Sequence, residues 1–273
     1  MDYTQNMIKR ISNIYINMIK YKQPTEFYTS ISIENRIIQT GAKLIITDFN
    51  MLPTKIEESW VVDFTDNFLI YDRANRYSES EKVKHQKNVG SNIYDIFDFI
   101  TNNYENLPEI MIFCKGNVIP RHCGIRKFIE ISNNTKFTPI ENYIRETPPF
   151  HDGIYSYVDE NDCYFECFTE VNDTVSGRYR SKTFFSYKSL LDEIFENGTH
   201  GHYLRFAPGS NYILTKEDVL KYNKHFYETM RDLVSWDVQP GEAYLLERMM
   251  FTLFENNFII KEKYKNDNNK FNG

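Results

Sequence analysis

Polar residues directly follow three short apolar runs in this sequence: Asp48, Asp72 with Arg73, and Lys115-Gly116-Asn117. Apolar runs of this length are typical of buried strands, and ligands of open α/β sheets bind beyond the carboxyl ends of the strands. Carboxylates placed there can contact a ribose or hold a divalent metal ion through oxygen ligands. For each residue taken singly, the alternative is a loop or helix cap. Their recurrence at three strand ends predicts a ligand crevice along one edge of the sheet.

A second candidate is the turn Asn88-Val89-Gly90-Ser91-Asn92, which precedes a helical pattern. The unpaired N–H groups and the dipole of a helix attract anions at its amino end, so a diphosphate would fit at Gly90, Ser91 and Asn92. A glycine before a helix is also a common turn signal without any ligand. The turn indicates an anion site only in combination with the neighbouring strand ends.

Glu247 is the carboxylate with the most unusual predicted position. Helical spacing places it on one stripe with Ala243, Met250 and Phe254, while Arg248 falls on the outward face. A buried carboxylate has to meet a cation, a hydrogen-bond donor or a ligand, because burying it unpaired is costly. Glu247 is therefore either a general base in a site or a structural ion pair.

Motifs for metal binding are weak. The chain has no His-Glu-x-x-His, no Cys-x-x-Cys and no strict Asp-x-Asp, and Cys163 and Cys167 lack a second pair to complete a zinc site. The metal ligands are unknown from the sequence, with Mn²⁺ or Mg²⁺ left open as a cofactor. Serine hydrolases, P-loop ATPases and nicotinamide dehydrogenases also lack their usual motifs here.

The composition narrows the class of partner. With 32 basic and 38 acidic residues the net charge is −6, which disfavours nucleic-acid binding. Four cysteines are too few for a disulfide framework.

No apolar run approaches the roughly 20 residues that cross a bilayer, and no signal-peptide pattern occurs, so a cytoplasmic location is expected. Residues 7–22 form a basic amphipathic pattern, which is typical of a helix packed on its own domain or of a peripheral membrane contact.

The elements that must position these residues alternate in type. The runs predicted as strands are Lys43–Thr47, Phe68–Tyr71, Ile110–Cys114, Tyr155–Val158, Tyr164–Thr169, Tyr203–Ala207 and Asn211–Leu214. Predicted helices cover Ser189–Glu196 and follow Ser91, Thr215 and Gly241. In the helix after Ser91, Asp95 and Asp98 are expected to face water. The alternation predicts an α/β fold with a parallel sheet core, a helical extension over residues 1–40 and a disordered tail over residues 262–273.

Two groups of motifs resemble a known family. The first group is Asn88-x-Gly90, Asn103-Tyr104 with Leu107-Pro108-Glu109, and Ile112-Phe113-x-Lys115-Gly116-Asn117. The second group is Pro208-Gly209-Ser210-Asn211-Tyr212, Thr215-Lys216-Glu217, Tyr227, and Leu246-Glu247-Arg248 with Phe251 and Phe254. Their order and spacing are similar to those of an uncharacterised glycosyltransferase-like family, a domain of unknown function related to the GT-A fold.

The resemblance implies a GT-A-like (Rossmann-like) mixed sheet with helices on both faces, as one domain over residues 41–261. It also implies sugar transfer from a nucleotide-sugar donor to a glycan or protein acceptor. The implied donor-binding residues are Asp48, Asp72, Arg73, Asn88, Gly90, Ser91, Asn92, Lys115 and Asn117. The implied acceptor side is Gly209 and Ser210, with Glu247 as the catalytic base or the positioner of the acceptor hydroxyl.

Two positions depart from the family pattern. Asn92 stands where the family has an acidic residue, and Lys115-Gly116-Asn117 stands where GT-A enzymes place Asp-x-Asp. Lys115 would then neutralise the diphosphate as a point charge. The alternative is a glycosyltransferase-like protein that binds a glycan or a partner without catalysis.

Overall fold

The computed structural model describes residues 41–141, 153–158, 164–170, 173–201 and 204–265. The predicted helical extension over residues 1–40, the predicted membrane contact over residues 7–22 and residues 266–273 lie outside the described residues. Within the part that is described, no helix has both the length and the apolar character needed to cross a membrane.

The described strands are β1 (Ala42–Asp48), β2 (Phe68–Asp72), β3 (Val83–His85), β4 (Ile110–Lys115), β5 (Thr138–Pro139), β6 (Gly153–Val158), β7 (Tyr164–Glu170), β8 (Leu204–Phe206) and β9 (Tyr212–Thr215). Six of them form one sheet in the order β3-β2-β1-β4-β9-β5. The first four in this order are parallel, and β9 is antiparallel to both of its neighbours. The α/β class and the mixed sheet are confirmed. The remaining three strands form an antiparallel sheet in the order β6-β7-β8.

The described α-helices are α1 (Trp60–Phe64), α2 (Ser91–Asn103), α3 (Val118–Arg121), α4 (Ile125–Ser132), α5 (Tyr187–Ile194), α6 (Lys216–Leu220), α7 (Lys224–Leu233) and α8 (Gly241–Glu255). Single 3-10 turns occur at Ile56–Glu58, Tyr104–Asn106 and Glu262–Tyr264. α2 packs against α7 and α8, and α8 packs against β8. These contacts bring α8 and the amino end of α2 close to the end of β4.

The central strands are covered on both faces, which explains why their sequences are continuously apolar. Alternate residues of a strand point to opposite faces. Ile45 and Phe113 belong to the large apolar cluster built with α2, α7 and α8, whereas Leu44 and Ile112 are equally buried outside it. An aromatic group from α1 and α4, also outside the large cluster, packs edge to face: Trp60, Phe64 and Phe128.

The predicted strands all occur, but two are connected differently from the expectation. The strands on either side of Pro208-Gly209-Ser210 lie in different sheets, β8 in the small one and β9 in the large one. The predicted capping box of Thr215 and Asp218 is present. The helix that it starts is short, because Asn223 caps a separate helix, α7.

The predicted tail begins with a structured segment. Glu262–Tyr264 form a 3-10 turn, and the Tyr264 ring is buried against Phe226 of α7. The expectation of disorder is therefore wrong for these three residues, because one aromatic side chain is enough to anchor a polar segment to the core.

Candidate functional site

The direction in which successive strands are added to the large sheet reverses between β1 and β4. From β1 the chain proceeds to β2 and β3 on one side and then crosses to β4 on the other. In open α/β sheets such a switch point opens a crevice beyond the carboxyl ends of the two strands. Thr47 of β1 pairs with Lys115 of β4, so the polar residues predicted at these ends lie beside each other.

The two strand ends approach very closely. A Cβ added at Gly116 would lie 2.6 Å from Oδ1 of Asp48, so only glycine fits there without movement. The Gly116 N–H donates to the Thr47 carbonyl (3.0 Å), and the Trp60 indole donates to the Gly116 carbonyl (2.8 Å). The turn after β4 is therefore held on two sides.

Lys115 places its side chain against the turn between β8 and β9. A Cβ at Gly209, whose φ is +81°, would lie 2.9 Å from the Lys115 ammonium. Burial lowers the pKa of Lys115, with the charge of Glu247 acting in the opposite direction and those of Arg121 and Arg73 in the same one. The ammonium makes no hydrogen bond or ion pair with another described residue, so it is a partly buried cation available to an anion.

Glu247 of α8 is held by the same turn. Its Oε1 accepts from the Gly209 N–H (2.6 Å) and the Ser210 hydroxyl (3.3 Å), and its Oε2 accepts from the Arg248 guanidinium (3.3 Å). Asn92, at the start of α2, donates from Nδ2 to the Gly209 carbonyl (2.6 Å). We call this group the β4 site: Asn92, Lys115, Gly209, Ser210 and Glu247.

The structure thus brings together residues predicted as donor-binding, acceptor-side and catalytic. They come from positions far apart in the chain, and the turn at Gly209 connects them. Asn117 lies two residues beyond Lys115, and its buried side-chain oxygen has no hydrogen-bond partner among the described residues. Asn88 is partly exposed before α2 and makes no hydrogen bond to another described residue.

The prediction that the N–H groups of Gly90 and Ser91 bind an anion is wrong, because both groups donate to backbone carbonyls. The Gly90 N–H donates to the Asp237 carbonyl (2.8 Å), and the Ser91 N–H donates to the Val238 carbonyl (3.0 Å). The loop before α8 therefore covers this end of α2. The sequence could not show this, because the two segments are separated by about 145 residues.

Asp48 and Asp72 are fully buried, and their oxygens accept from nearby groups of the fold. Oδ1 of Asp48 accepts from the N–H groups of Met51 (3.0 Å) and Leu52 (2.9 Å), and its Oδ2 accepts from Arg76. Asp72 accepts from the N–H groups of Ala74, Arg76 and Tyr77 at 2.5–3.0 Å. The predicted contact with a nucleoside is not supported, since both carboxylates shape the loops that follow their strands.

Arg73 is likewise engaged inside the fold. It pairs with Asp95 of α2 through two contacts of 2.9 and 3.0 Å and donates to the Ser91 carbonyl. Thr47 adds a hydrogen bond to Asp95 (2.7 Å). Asp95 and Asp98 are both buried, although the helical pattern predicted that they face water. We call this group the β1–β2 network: Thr47, Asp48, Asp72, Arg73, Arg76 and Asp95.

The helical periodicity predicted Arg248 on the outward face of α8, and this prediction is wrong. Its side chain is only 3% exposed, against 18% for Glu247, and it stacks between the rings of Phe206 and Tyr244. β8 covers this side of α8, which the helical periodicity alone could not reveal. Arg248 also donates to Glu247, so it belongs to the support of the β4 site.

His122 and Glu141 form a buried pair that the motifs did not indicate. Nδ1 of His122 lies 2.8 Å from Oε2 of Glu141. Burial, followed by the charges of Lys115 and Arg121, lowers the pKa of His122 to about 3. The only sequence signal was the position of His122 shortly after the β4 turn.

The residues that the structure describes do not fit a divalent metal ion. Among the described residues, no group of three or more His, Cys, Asp and Glu side chains is arranged to hold one. At the strand ends, the carboxylates of Asp48 and Asp72 already accept several hydrogen bonds. Positive charge at the β4 site comes from Lys115.

A shallow depression of about 470 Å³ lies elsewhere, at the amino end of β4. It is lined by Glu109, Lys216, Glu217, Leu220 and Lys221. It contains none of the predicted site residues and lies at the edge of the sheet where ligands of such folds do not usually bind.

A comparison with protein families gives one match. A family model described as "Protein of unknown function (DUF3431)" matches residues 53–269. No curated protein and no solved structure matches the chain.

Proposed function

The chain belongs to the DUF3431 family, and we propose that it transfers a sugar from a nucleotide-sugar donor to a glycan or protein acceptor. The family description names no activity, so support for the proposal comes from the site. Its main support is the β4 site, where a partly buried cation, a carboxylate and two turn residues meet at a switch point. Ligands of open α/β sheets bind at such a place.

The sheet supports a GT-A-like, Rossmann-like form of the α/β fold. Four parallel strands in the order β3-β2-β1-β4 have the strand order of one half of a doubly wound nucleotide-binding fold, which supports this form. The motifs that resemble the glycosyltransferase-like family include both segments that meet at Gly209. Asn92, which departs from the family pattern, joins the two segments by donating to the Gly209 carbonyl.

In the proposed reaction Lys115 binds the diphosphate of the donor. A partly buried ammonium attracts an anion more strongly than one in bulk water, because less water screens the charge. As the acceptor oxygen bonds to the anomeric carbon, the bond from that carbon to the diphosphate breaks and the nucleoside diphosphate leaves against Lys115. Glu247 positions the acceptor hydroxyl and takes its proton.

The β1–β2 network has an indirect role in this proposal. Asp48 and Asp72 fix the loops that form the other wall of the crevice and do not contact the donor. No step uses a metal ion, since the described residues do not fit one.

Binding of a glycan without catalysis is the second candidate. It is favoured by the hydrogen bonds of Glu247, whose two oxygens together accept from Gly209, Ser210 and Arg248. A carboxylate held in this way is a weaker proton acceptor than a free one, because donors stabilise its charged form.

A binding panel with a turnover assay separates the two candidates. Thermal shift is measured with nucleoside diphosphates and nucleotide sugars, each with and without Mn²⁺ or Mg²⁺, and release of nucleoside diphosphate is followed with saccharide acceptors. Metal-independent binding with turnover is expected. Binding of saccharides without any response to nucleotides would favour the second candidate.

The matched variants are Lys115→Met and Lys43→Met. Lys43 lies near the amino end of β1, at the opposite edge of the sheet. Loss of nucleotide binding in the first variant alone places the diphosphate at the β4 site. Equal binding by both variants would contradict this placement.

A further inference from the structure

Two loops beside the amino end of α8 carry exposed cations, although the whole chain has a net charge of −6. Residues 174–186 contain three cations and no acidic residue, and residues 235–240 contain one acid, Asp237. All three cations are exposed: Arg178, Arg180 and Lys182. We call the two loops together, residues 174–186 and 235–240, the basic loop surface.

Direct contacts join the two loops. The Gly241 N–H donates to the Arg180 carbonyl (2.7 Å), and the Arg180 guanidinium lies 3.5 Å from Oδ2 of Asp237. The Lys182 ammonium lies 4.5 Å from the centre of the Trp236 ring. The loops are therefore held side by side and present one continuous surface to the solvent.

A buried carboxylate fixes the conformation of the first loop. Oε1 of Glu242, near the start of α8, accepts from the N–H groups of Lys182 and Thr183, both at 2.8 Å. The two residues that follow differ in exposure, since Phe184 is buried and Phe185 is 64% exposed. The exposed ring of Phe185 is therefore part of a loop that the core holds in place.

Exposed apolar side chains accompany the cations. Phe185 lies three residues after Lys182, and Val238, which is 46% exposed, lies two residues after Trp236. Cations beside exposed apolar side chains are typical of surfaces that bind an anionic bilayer. The cations meet the charged headgroups there, and the apolar side chains enter the boundary with the acyl chains.

The composition of the surface argues against two other occupants. In a twofold dimer the same surface of two copies would meet, and their cations would repel each other. A small soluble anion would contact the cations but leave Phe185 and Val238 in water. An anionic lipid surface is complementary to both kinds of side chain.

Stacked side chains connect the basic loop surface to the β4 site. The centres of the Tyr179 and Tyr244 rings lie 5.2 Å apart. The Arg248 guanidinium lies 3.3 Å from the centre of the Tyr244 ring, and it donates to Glu247. A bilayer bound at the loops would therefore lie on the side of the molecule where α8 presents Glu247.

We propose that the basic loop surface binds the surface of an anionic membrane. Phe185 enters the interfacial region, and Arg178 and Lys182 contact lipid phosphate groups. Arg180 contributes less, because Asp237 partly neutralises its charge. The inference goes beyond the proposed sugar transfer and does not depend on it, since it uses only the exposed loops.

Flotation of the full chain with lipid vesicles measures the binding. Vesicles of phosphatidylcholine with phosphatidylserine should bind the protein, and the binding should weaken as salt is added, because salt screens exposed charges. Vesicles of phosphatidylcholine alone should bind much less. Equal binding to the two kinds of vesicle, or binding to neither, would overturn the inference.

Variants of the loops locate the contact. Phe185→Ser should weaken binding about tenfold, since its ring no longer leaves water, and Arg178→Ser about fivefold, as for one cation near an anionic bilayer. Ile259→Ser and Arg126→Ser are the matched controls and should bind like the natural protein. Ile259 is 50% exposed near the other end of α5, and Arg126 is exposed on α4.

The full chain keeps residues 7–22 in every variant, so a contact made by that segment is also detected. Binding that is unchanged in Phe185→Ser and Arg178→Ser would place the membrane contact elsewhere and overturn the inference. Both side chains are exposed, so thermal unfolding of these variants should match that of the natural protein. The comparison of the two vesicle types needs no variant at all.

Two further measurements test the other occupants. Inorganic phosphate that displaces the vesicles at constant ionic strength, and that binds Phe185→Ser as well as the natural protein, would assign the surface to a soluble anion. A mass in sedimentation that falls in Phe185→Ser would assign it to a second copy of the chain. Either result would overturn the inference. A failure of nucleotide binding, in contrast, would remove only the proposed function.

Discussion

The β1–β2 network and the β4 site lie at the same edge of one sheet, but their polar groups are satisfied to different degrees. In the network, Asp48 and Asp72 accept from loop N–H groups, and Arg73 pairs with Asp95. At the β4 site, the Lys115 ammonium makes no hydrogen bond or ion pair with another described residue, although the charge of Glu247 acts on it. A polar group that is paired inside the protein stabilises the fold, whereas one without a hydrogen bond or ion pair is available to a ligand.

Removing one member of the β1–β2 network should have the largest effect. Asp95→Ala leaves the Arg73 guanidinium buried and unpaired, so the free energy of unfolding should fall by about 3–5 kcal/mol. Chemical denaturation measures this change. Glu247→Gln is the comparison, with an expected change below about 1 kcal/mol because Glu247 is less buried. Equal losses in the two variants would remove the distinction between the regions.

Glu247→Gln should instead lower the rate of transfer. A loss of about 100-fold in turnover is expected, since an amide cannot take the proton of the acceptor hydroxyl. Binding of the nucleotide should remain, because the amide oxygen can still accept from Gly209. Steady-state kinetics and calorimetry measure the two quantities. Turnover equal to that of the natural protein would rule out the catalytic role.

Lys115→Met should change binding and stability in opposite directions. Affinity for a nucleoside diphosphate should fall about tenfold or more with the loss of a charged donor. The free energy of unfolding should rise by up to about 1 kcal/mol, because an apolar side chain of similar length replaces a partly buried cation that has no ion pair. Lys43→Met should change neither quantity. A loss of stability in Lys115→Met would mean that Lys115 is a structural residue.

The pH dependence of that stability difference is the smallest expected effect. Burial lowers the pKa of Lys115 in the folded protein, so the unfolded chain holds this proton more tightly. Stability then rises with pH between the lowered pKa and the ordinary value of about 10.5. Unfolding curves of the natural protein and Lys115→Met should converge as the pH is raised through this window. A constant difference would show that the ammonium is not the cause.

The fold followed largely from local patterns. β1, β2, β4 and α2 were predictable because a short apolar run and a helical stripe each indicate an element without tertiary information. The placement of β8 and β9 in different sheets was not predictable, because pairing depends on contacts between distant segments. The inward position of Asp95 was missed for the same reason, since its partner Arg73 follows β2, a different element of the fold.

For the candidate site, the sequence determined which chemical groups stand at the strand ends: Lys115, Asp48, Asp72 and the turn at Gly209. Only the tertiary structure decided which of them are available. Asp48 and Asp72 are used by their own loops, whereas Lys115, Glu247 and Asn92 meet at Gly209 from distant parts of the chain. The physical reason is that residue type fixes the charge and the donors, but burial and partners depend on how the elements pack.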